Sequence, residues 1–338
     1  MKMKDIVHYK FKGMDIILNT FGTSLNRDNE AFVINNKDGK HRIPTQHIHS
    51  IQIYRGTQIT SDAIFLALQN EIEVLFVDRA GKPRGRVWSP EYGSISTIRK
   101  GQLVFTSSND AVVWIKNVIT SKIENQQAML LSLNNDENEV FINNTIKRMD
   151  KFITKIQSLE GEIPSDVVPN LRGLEGTVSR LYFSALNRFV SDKYRFNERS
   201  QHPAYDVTNA LLNYGYGILY GKVEGALIVA GIDPYIGIMH SDNYNRPALS
   251  YDVIEKYRVW IDYVIYSLLK QDVITSEMYS AQDDHSVWLE SLGKRVVIQS
   301  VNDYFEEVIC VKGINRSRNT QISLYCQDLA QIMKKFNK

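Results

Sequence analysis

The segment GIMHSDNYNRPALSYDVIEKYR at residues 237–258 contains one histidine, then a polar loop, and then two carboxylates in a strongly apolar stretch. Asp252 and Glu255 are three residues apart, so on a helix they would share one face. The surrounding residues are strongly apolar, and two like charges on a buried surface cost free energy unless a cation meets them. Arg258, one helical turn further along, could be that cation, and a bound metal ion is the other candidate.

His240 precedes a polar loop and stands close in sequence to these two acids. A neutral imidazole is a good ligand for transition metals, and carboxylates suit Mg²⁺ or Mn²⁺. A mixed set of this kind favours Mn²⁺ or a permissive Mg²⁺ site; zinc stays open, although the chain offers no paired cysteine ligands. The alternative is an ordinary hydrogen-bonded histidine and two acids in surface salt bridges.

A third acid, Glu175, lies in LRGLEGTVSRLYF between Gly173 and Gly176, at the front of a predicted apolar helix. A glycine inside a helix costs roughly 1 kcal/mol relative to alanine, so the two glycines indicate close approach of a backbone or a ligand. The alternative is a favourable acidic charge in the first helical turn, which would interact with the helix dipole. That alternative explains the glutamate but not the glycines.

The elements that must position these residues fall into two parts. The first ninety residues contain short β-branched runs broken by turn clusters, with EIEVLFVD as a central strand and TSDAIFLALQN as one helix. Beyond about residue 95 the apolar spacing becomes helical, and ALSYDVIEKYRVWIDYVIYSLLK predicts one continuous helix. The fold class is therefore α+β, with a β-rich domain over residues 1–92, a linker over 93–100 and a larger all-α domain over 101–338.

A glycine-rich stretch in the helical part could be mistaken for a nucleotide-binding loop. The signature G-x-G-x-x-G fails in NYGYGILYGKVEG, because Tyr220 stands where the third glycine is required. Gly217, Gly221 and Gly225 instead recur every four residues. This spacing predicts a helix surface against which another helix packs closely.

Charge is distributed unevenly along the 338 residues, although the net charge is only +2. Residues 1–100 carry 15 Lys or Arg against 10 Asp or Glu, residues 101–310 carry 19 against 27, and residues 311–338 carry 6 against 1. An acidic middle is unusual for a simple DNA-binding protein, and bound divalent cations would account for it. The two cysteines, Cys310 and Cys326, predict core thiols in a reducing cytoplasm, and no apolar stretch is long enough to suggest a membrane span.

Several ordered motifs together resemble one known family. They are L-x-G-x-E-G followed by YF, N-A-L-L-N-Y-G-Y-G-I-L, G-x-D-P-Y-I-G-x-x-H and Y-D-V-I-E-K-Y-R, with KIENQQAMLL at residues 122–131. These ordered motifs resemble those of the CRISPR-associated adaptation endonuclease. That family is the integrase subunit and the first member of the CRISPR-associated protein series. The resemblance implies a homodimer that dimerises through its β-domain and carries a divalent metal in its helical domain.

The resemblance also implies roles for individual residues. Glu175, His240 and Glu255 match the metal ligands of the family, and Asp252 matches the first acid of its D-x-x-E/D motif, acting directly or through water. Arg258 falls where the family often has a basic residue near the scissile phosphate.

The implied reaction is phosphoryl transfer on DNA with Mg²⁺ or Mn²⁺. With water as nucleophile the site would cleave DNA; with the 3′-hydroxyl of a captured fragment it would insert a spacer into a repeat array. The implied partners are double-stranded DNA, as prespacer and repeat, and a small protein that is second in the series. Two alternatives stay open: a metal-dependent repair nuclease that does not integrate, and a non-catalytic DNA-binding scaffold whose acids form salt bridges with Arg258.

Basic residues elsewhere could follow the DNA backbone, although each could equally be a solvated surface charge. Tyr182 and Tyr216 could stack on bases, but core tyrosines with hydrogen-bonded hydroxyls are the favoured interpretation. The candidates for DNA contact are Arg84, Arg86, Lys222, Arg258, Lys312, Arg316 and Arg318.

Overall fold

The computed structural model describes residues 14–70, 72–78, 83–87, 95–201, 203–241, 246–311 and 313–337. Contacts along the chain divide it into two compact units, residues 1–93 and residues 94–338. The expected order, a β-rich part before a larger helical part, is confirmed.

In its described residues, the N-terminal unit contains two four-stranded sheets and one α-helix. One sheet has the order β1-β5-β7-β8, and the other has the order β4-β3-β2-β6. The strand predicted to be central, β7, pairs in parallel with β5 and antiparallel with β8. The elements are β1 (Met14–Leu18), β2 (Ser24–Asp28), β3 (Ala31–Asn36), β4 (Gly39–Pro44), β5 (Ile48–Tyr54), β6 (Gln58–Ile59), α1 (Ser61–Gln69), β7 (Glu73–Val77) and β8 (Pro83–Arg86).

The predicted helix in this unit starts where a cap residue stands. The hydroxyl of Thr60 accepts a hydrogen bond from the backbone N–H of Ala63 at 3.3 Å, which satisfies one of the donors that a helix leaves open at its start. Leu66 on the same helix is fully buried with Leu25 and Ile51 of the strands. The helix therefore packs its apolar face on the sheet residues, as its sequence pattern predicts.

The C-terminal unit is mostly helical, as predicted, and its described residues also form two short antiparallel strand pairs that the sequence analysis did not predict. Residues 95–100, assigned to a linker by sequence, form the first turns of α2. The elements are α2 (Ile95–Phe105), α3 (Asn109–Leu131), α4 (Glu139–Gln157), α5 (Pro164–Leu186), α6 (Val207–Val229), α7 (Ala248–Ile254), α8 (Arg258–Lys270), β9 (Tyr279–Ala281), β10 (Val287–Leu289), α9 (Ser291–Glu306), β11 (Val308–Val311), β12 (Ile314–Ser317) and α10 (Arg318–Lys334).

Helix α6 is the central element of this unit because it is apolar on nearly all sides. It packs against α7, α8, α9 and α10. A Cβ added to Gly215 would lie 2.6 Å from the Cγ2 atom of Ile261 on α8, whereas one added to Gly217 would meet nothing within 4 Å. Another helix therefore packs closely against Gly215. The prediction of close packing at Gly217 was wrong.

The single helix predicted over residues 248–270 is divided into α7 and α8 by a turn at residues 255–257. The N–H of Tyr257 bonds to the carbonyl of Ile254 at 2.8 Å, a tighter i to i−3 pattern than in an α-helix. The side-chain amide of Asn125 on α3 donates to the carbonyl of Lys256 at 3.0 Å. The break places Glu255 on a turn that faces α3.

Two smaller expectations had different outcomes. Cys326 is fully buried, as predicted, but Cys310 on β11 is exposed, so the assignment of both cysteines to the core was wrong for Cys310. Among the residues that the structure describes, none of the helices is both long and apolar enough to cross a membrane.

The packing of α2 on α10 generates a stability prediction. A Cβ at Gly101 would lie 1.9 Å from the carbonyl oxygen of Met333, so Gly101→Ala must displace backbone. We expect it to lower the free energy of unfolding by about 1–3 kcal/mol. Urea titration followed by circular dichroism measures this change.

The matched control is Gly217→Ala, another glycine inside a helix, where a Cβ has open space. It should leave stability unchanged or raise it by about 0.5–1 kcal/mol, since alanine favours the helix. Equal effects of the two substitutions would contradict the packing described for α2 and α10.

Candidate active site

Glu255 is a buried carboxylate held between two cations. Its Oε2 atom is 2.5 Å from the Nζ atom of Lys122 on α3, and its Oε1 atom accepts from the Nε atom of Arg258 at 2.8 Å. Burial by itself would raise the pKa of Glu255, but the charges of Arg258 and Lys122 lower it to about 2. The carboxylate is therefore ionised at neutral pH, and the cation that the sequence required is present twice.

Glu175 reaches the same ammonium group from a different helix. Its Oε1 atom contacts the Nζ atom of Lys122 and also accepts from the hydroxyl of Ser179 at 2.7 Å. Burial would lower the pKa of Lys122, but Glu255 and Glu175 raise it, so the ammonium is charged. Two carboxylates from distant parts of the sequence thus meet at one cation.

The position of Glu175 within its helix excludes the dipole explanation. Helix α5 begins at Pro164, so Glu175 lies in its middle and not in its first turn. A Cβ added to Gly173 or Gly176 would meet nothing within 4 Å, so neither glycine is explained by close packing of the protein against itself. The open surface on either side of Glu175 leaves room for a ligand to approach.

His240 is oriented by Asp252. The Nδ1 atom of His240 is 2.7 Å from Oδ1 of Asp252, whose carboxylate also accepts from the backbone N–H groups of Ile238, Met239 and His240 at 2.6, 3.0 and 3.0 Å. Asp252 is fully buried, and four donors occupy its two oxygens. With Nδ1 bound to a carboxylate, Nε2 is the nitrogen that can bind another group, which is the usual arrangement of a metal-binding histidine.

The side chains of Glu175, Glu255 and His240 are of the types that bind a divalent cation, but the two glutamates are joined here by a lysine. In the part of the chain that the structure describes, no group of three or more His, Cys, Asp or Glu side chains is already arranged to hold a metal ion. The ammonium of Lys122 instead bridges Glu175 and Glu255, and His240 is near enough to act electrostatically on Glu255. Two carboxylate oxygens directed at one cationic centre, beside an imidazole, fit Mg²⁺ or Mn²⁺ by donor chemistry.

A buried tyrosine–aspartate network supports the site from behind. The hydroxyls of Tyr182 and Tyr216 both donate to the carboxylate of Asp262, Tyr182 at 3.1 Å. The Cζ atom of Arg258 lies 4.8 Å from the centre of the Tyr216 ring, and its Nη2 atom donates to the Tyr220 hydroxyl at 2.9 Å. Both predicted core tyrosines are thus confirmed as buried and hydrogen-bonded, and they help to fix the guanidinium that holds Glu255.

The predicted DNA-contact residues are mostly engaged within the protein. Arg84 bonds to Asp78 at 2.7 Å but keeps an exposed side chain, whereas Arg86 is half-buried and its Nη1 atom is 3.6 Å from Glu73. Arg316 is half-buried on β12, and Lys312 lies outside the described residues.

Two further candidates contact aromatic rings. The Nζ atom of Lys222 lies 5.2 Å from the centre of the Phe305 ring. The Cζ atom of Arg318 lies 3.6 Å from the centre of the Tyr304 ring, and Arg318 also bonds to Glu307 at 2.5 Å. Both side chains therefore have partners within the protein without DNA.

Sequence reasoning missed the residue that joins the two glutamates. Lys122 opens the segment KIENQQAMLL, which contributed to the family resemblance but was given no role. A helix surface with a buried lysine looks the same in sequence as one with a solvated lysine. Lys122 could have been inferred from the charges of Glu175 and Glu255, because two carboxylates in an apolar setting require a nearby cation.

The fold and the site together define a class of protein in which a β-rich unit precedes a helical unit, and the helical unit brings two glutamates to one lysine beside a carboxylate-bound histidine. A family model described as CRISPR associated protein Cas1 matches residues 16–303. The chain belongs to the Cas1 family, as its motifs predicted.

Individual relatives agree with this membership. The CRISPR-associated endonuclease Cas1 1 of Archaeoglobus fulgidus is 29% identical over 336 residues, which cover 95% of this chain and 96% of that protein. A solved partial Cas6-RT-Cas1–Cas2 complex is 23% identical, with a TM-score of 0.77 and coverage of 96% of each chain. A casposase bound to integration product is 20% identical, with a TM-score of 0.73 and coverage of 95% of each chain. The two structures establish similarity of fold.

The tyrosine–aspartate network generates a pH-dependent prediction. Burial raises the pKa of Asp262, and the hydrogen bonds from Tyr216 and Tyr182 lower it, with burial dominant. Tyr182→Phe removes a donor that stabilises the ionised carboxylate, so it should raise this pKa further. The loss of stability, about 1–3 kcal/mol at pH 8, should shrink as the pH falls and Asp262 becomes protonated. Urea unfolding of variant and wild type at a series of pH values from pH 8 down to about pH 4 measures it.

Tyr266→Phe is the control, because the Tyr266 hydroxyl, on the same helix as Asp262, donates to the carbonyl of Phe189 at 3.1 Å. Its effect should not change with pH between these values. A pH-independent effect of Tyr182→Phe would show that its hydroxyl does not stabilise an ionised Asp262.

Proposed function

We propose that this protein is a divalent-metal-dependent DNA endonuclease and integrase of CRISPR adaptation, which joins the 3′-hydroxyl of a captured DNA fragment to the repeat array. The observation that carries the proposal is the meeting of Glu175 and Glu255 at one cation, with His240 held beside them. Carboxylates that are buried at such cost without serving the fold's own apolar packing indicate a functional site.

Family membership supports the reaction class. The relative in Archaeoglobus fulgidus is named an endonuclease, and the solved casposase is bound to an integration product. The partial complex that shares this fold contains both Cas1 and Cas2. These likenesses support DNA and a Cas2-type protein as partners. From the family resemblance we further propose that the DNA is double-stranded, that a second copy of this chain takes part, and that the reaction is cytoplasmic.

Glu175, Glu255 and His240 would hold the Mg²⁺ or Mn²⁺ ion. When bound, that ion supplies Lewis-acid stabilisation of charge on the phosphate oxygens during in-line displacement. Asp252 fixes the ring of His240 through Nδ1 and so keeps Nε2 as the metal-binding nitrogen. Arg258 fixes the carboxylate of Glu255 through Nε, so we assign it a positioning role in addition to the phosphate contact that its sequence motif implies.

Glu175→Gln is the sharpest single test, because Glu175 is less buried than Glu255 and its substitution leaves Glu255 paired with both Lys122 and Arg258. The variant should stay folded and bind DNA but lose strand transfer by about 10²–10³-fold, as expected when charge stabilisation in the transition state is removed. The measurement is joining of a labelled fragment to a supercoiled plasmid that carries repeats, with Mn²⁺ and the Cas2-type partner present.

Asp150→Asn is the matched control, since Asp150 is an exposed carboxylate on α4 that accepts from Gln127 at 2.7 Å. It should integrate as the wild type does. Undiminished joining by Glu175→Gln would refute the assigned site, and cleavage without joining by the wild type would indicate a repair nuclease instead of an integrase.

A further inference from the structure

Lys122 is a buried lysine whose ammonium is committed to the two proposed metal ligands. It projects from α3 and has only 6% of its side chain exposed. Its Nζ atom contacts Oε1 of Glu175 and lies 2.5 Å from Oε2 of Glu255. Burying a lysine is expensive, and these two carboxylates are what compensates its charge.

Oε1 of Glu255 is bound to Arg258. A divalent ion held by Glu255 and Glu175 would therefore need Oε2 of Glu255, which now contacts Lys122, and would lie where the ammonium lies beside Glu175. An ammonium and a divalent cation cannot both lie in contact with the same two oxygens, because like charges a few ångströms apart repel strongly in a buried site. Glu255 keeps Arg258 as a partner at 2.8 Å, and Glu175 keeps Ser179 at 2.7 Å, if Lys122 withdraws. The site therefore keeps its two carboxylates oriented after the lysine leaves.

We propose that Lys122 is a built-in counter-cation that competes with the divalent metal and is displaced when the metal binds. This inference rests on the proposed function, because it takes Glu175 and Glu255 to be metal ligands. Lys122 keeps the two carboxylates together before the metal arrives, and it lowers the affinity of the site for the metal. Its long, flexible side chain allows the ammonium to leave without movement of α3.

Removal of the competing charge tests the proposal. Lys122→Met keeps an unbranched, flexible side chain but removes the ammonium, and we expect it to bind Mn²⁺ at least about tenfold more tightly than the wild type. Its metal-free melting temperature should fall, and the rise of that temperature on adding Mn²⁺ should exceed that of the wild type. Isothermal titration calorimetry and thermal melts of the full chain provide both readouts without any activity assay.

Lys116→Met is the control, because Lys116 lies on the same helix but donates to the carbonyls of Gln157 and Leu159 at 2.8 and 2.7 Å. It should bind Mn²⁺ as the wild type does. If the wild type binds Mn²⁺ and the Glu175→Gln variant does not, the metal site is present. Equal or weaker Mn²⁺ binding by Lys122→Met would then show that Lys122 does not compete with the metal. If Mn²⁺ binding is absent, or insensitive to Glu175→Gln, the metal site itself is refuted.

A measurement on the unmodified chain covers the case in which Lys122→Met does not fold. Lysine acetylation followed by mass spectrometry reports how accessible each ammonium is. Addition of Mn²⁺ should increase labelling of Lys122 several-fold and leave Lys116 unchanged. Equal labelling of Lys122 with and without Mn²⁺, at a concentration that saturates the site, would show that the metal does not displace it.

Discussion

Compensation of a buried negative charge is the constraint on which the helical unit depends. Glu255 is almost fully buried, and it stays ionised because Lys122 and Arg258 contact its two oxygens. Arg258 is fixed in turn by Tyr220 and by the ring of Tyr216, whose hydroxyl bonds to Asp262. Removing one member of such a network leaves another charge uncompensated, so its residues act as a unit.

The helices around this network are arranged so that the buried carboxylates meet cations or hydrogen-bond donors. The break between α7 and α8 turns Glu255 towards α3, and Asn125 on α3 binds the carbonyl of Lys256 in that turn. Asp252 on α7 accepts hydrogen bonds from the backbone of residues 238–240 and orients the ring of His240. Helix α5 brings Glu175 to the same lysine. Four separate segments thus meet at a few charged atoms, which explains a cluster of acids in an otherwise apolar unit.

Sequence analysis predicted the two-part fold and the group His240, Asp252, Glu255 and Arg258, because their spacing and apolar surroundings are local properties. It did not predict Lys122, which is 53 positions from Glu175 and 133 from Glu255 and is joined to them only by packing. It also merged α7 and α8, since no glycine or proline marks the break, and the hydrogen bond that Asn125 of the distant helix α3 makes to this turn cannot be read from the local sequence. The sequence analysis also did not predict that Arg84 and Arg318 form ion pairs with acids of the protein itself.

The central claim is tested most directly by the structure of a crystal soaked with Mn²⁺. Anomalous diffraction recorded at the manganese edge would locate the metal. The account predicts one strong anomalous peak in direct contact with Glu175, Glu255 and the Nε2 atom of His240, with the ammonium of Lys122 moved away from both carboxylates. A saturated crystal in which Lys122 still bridges the two glutamates, with manganese bound elsewhere or not at all, would contradict it.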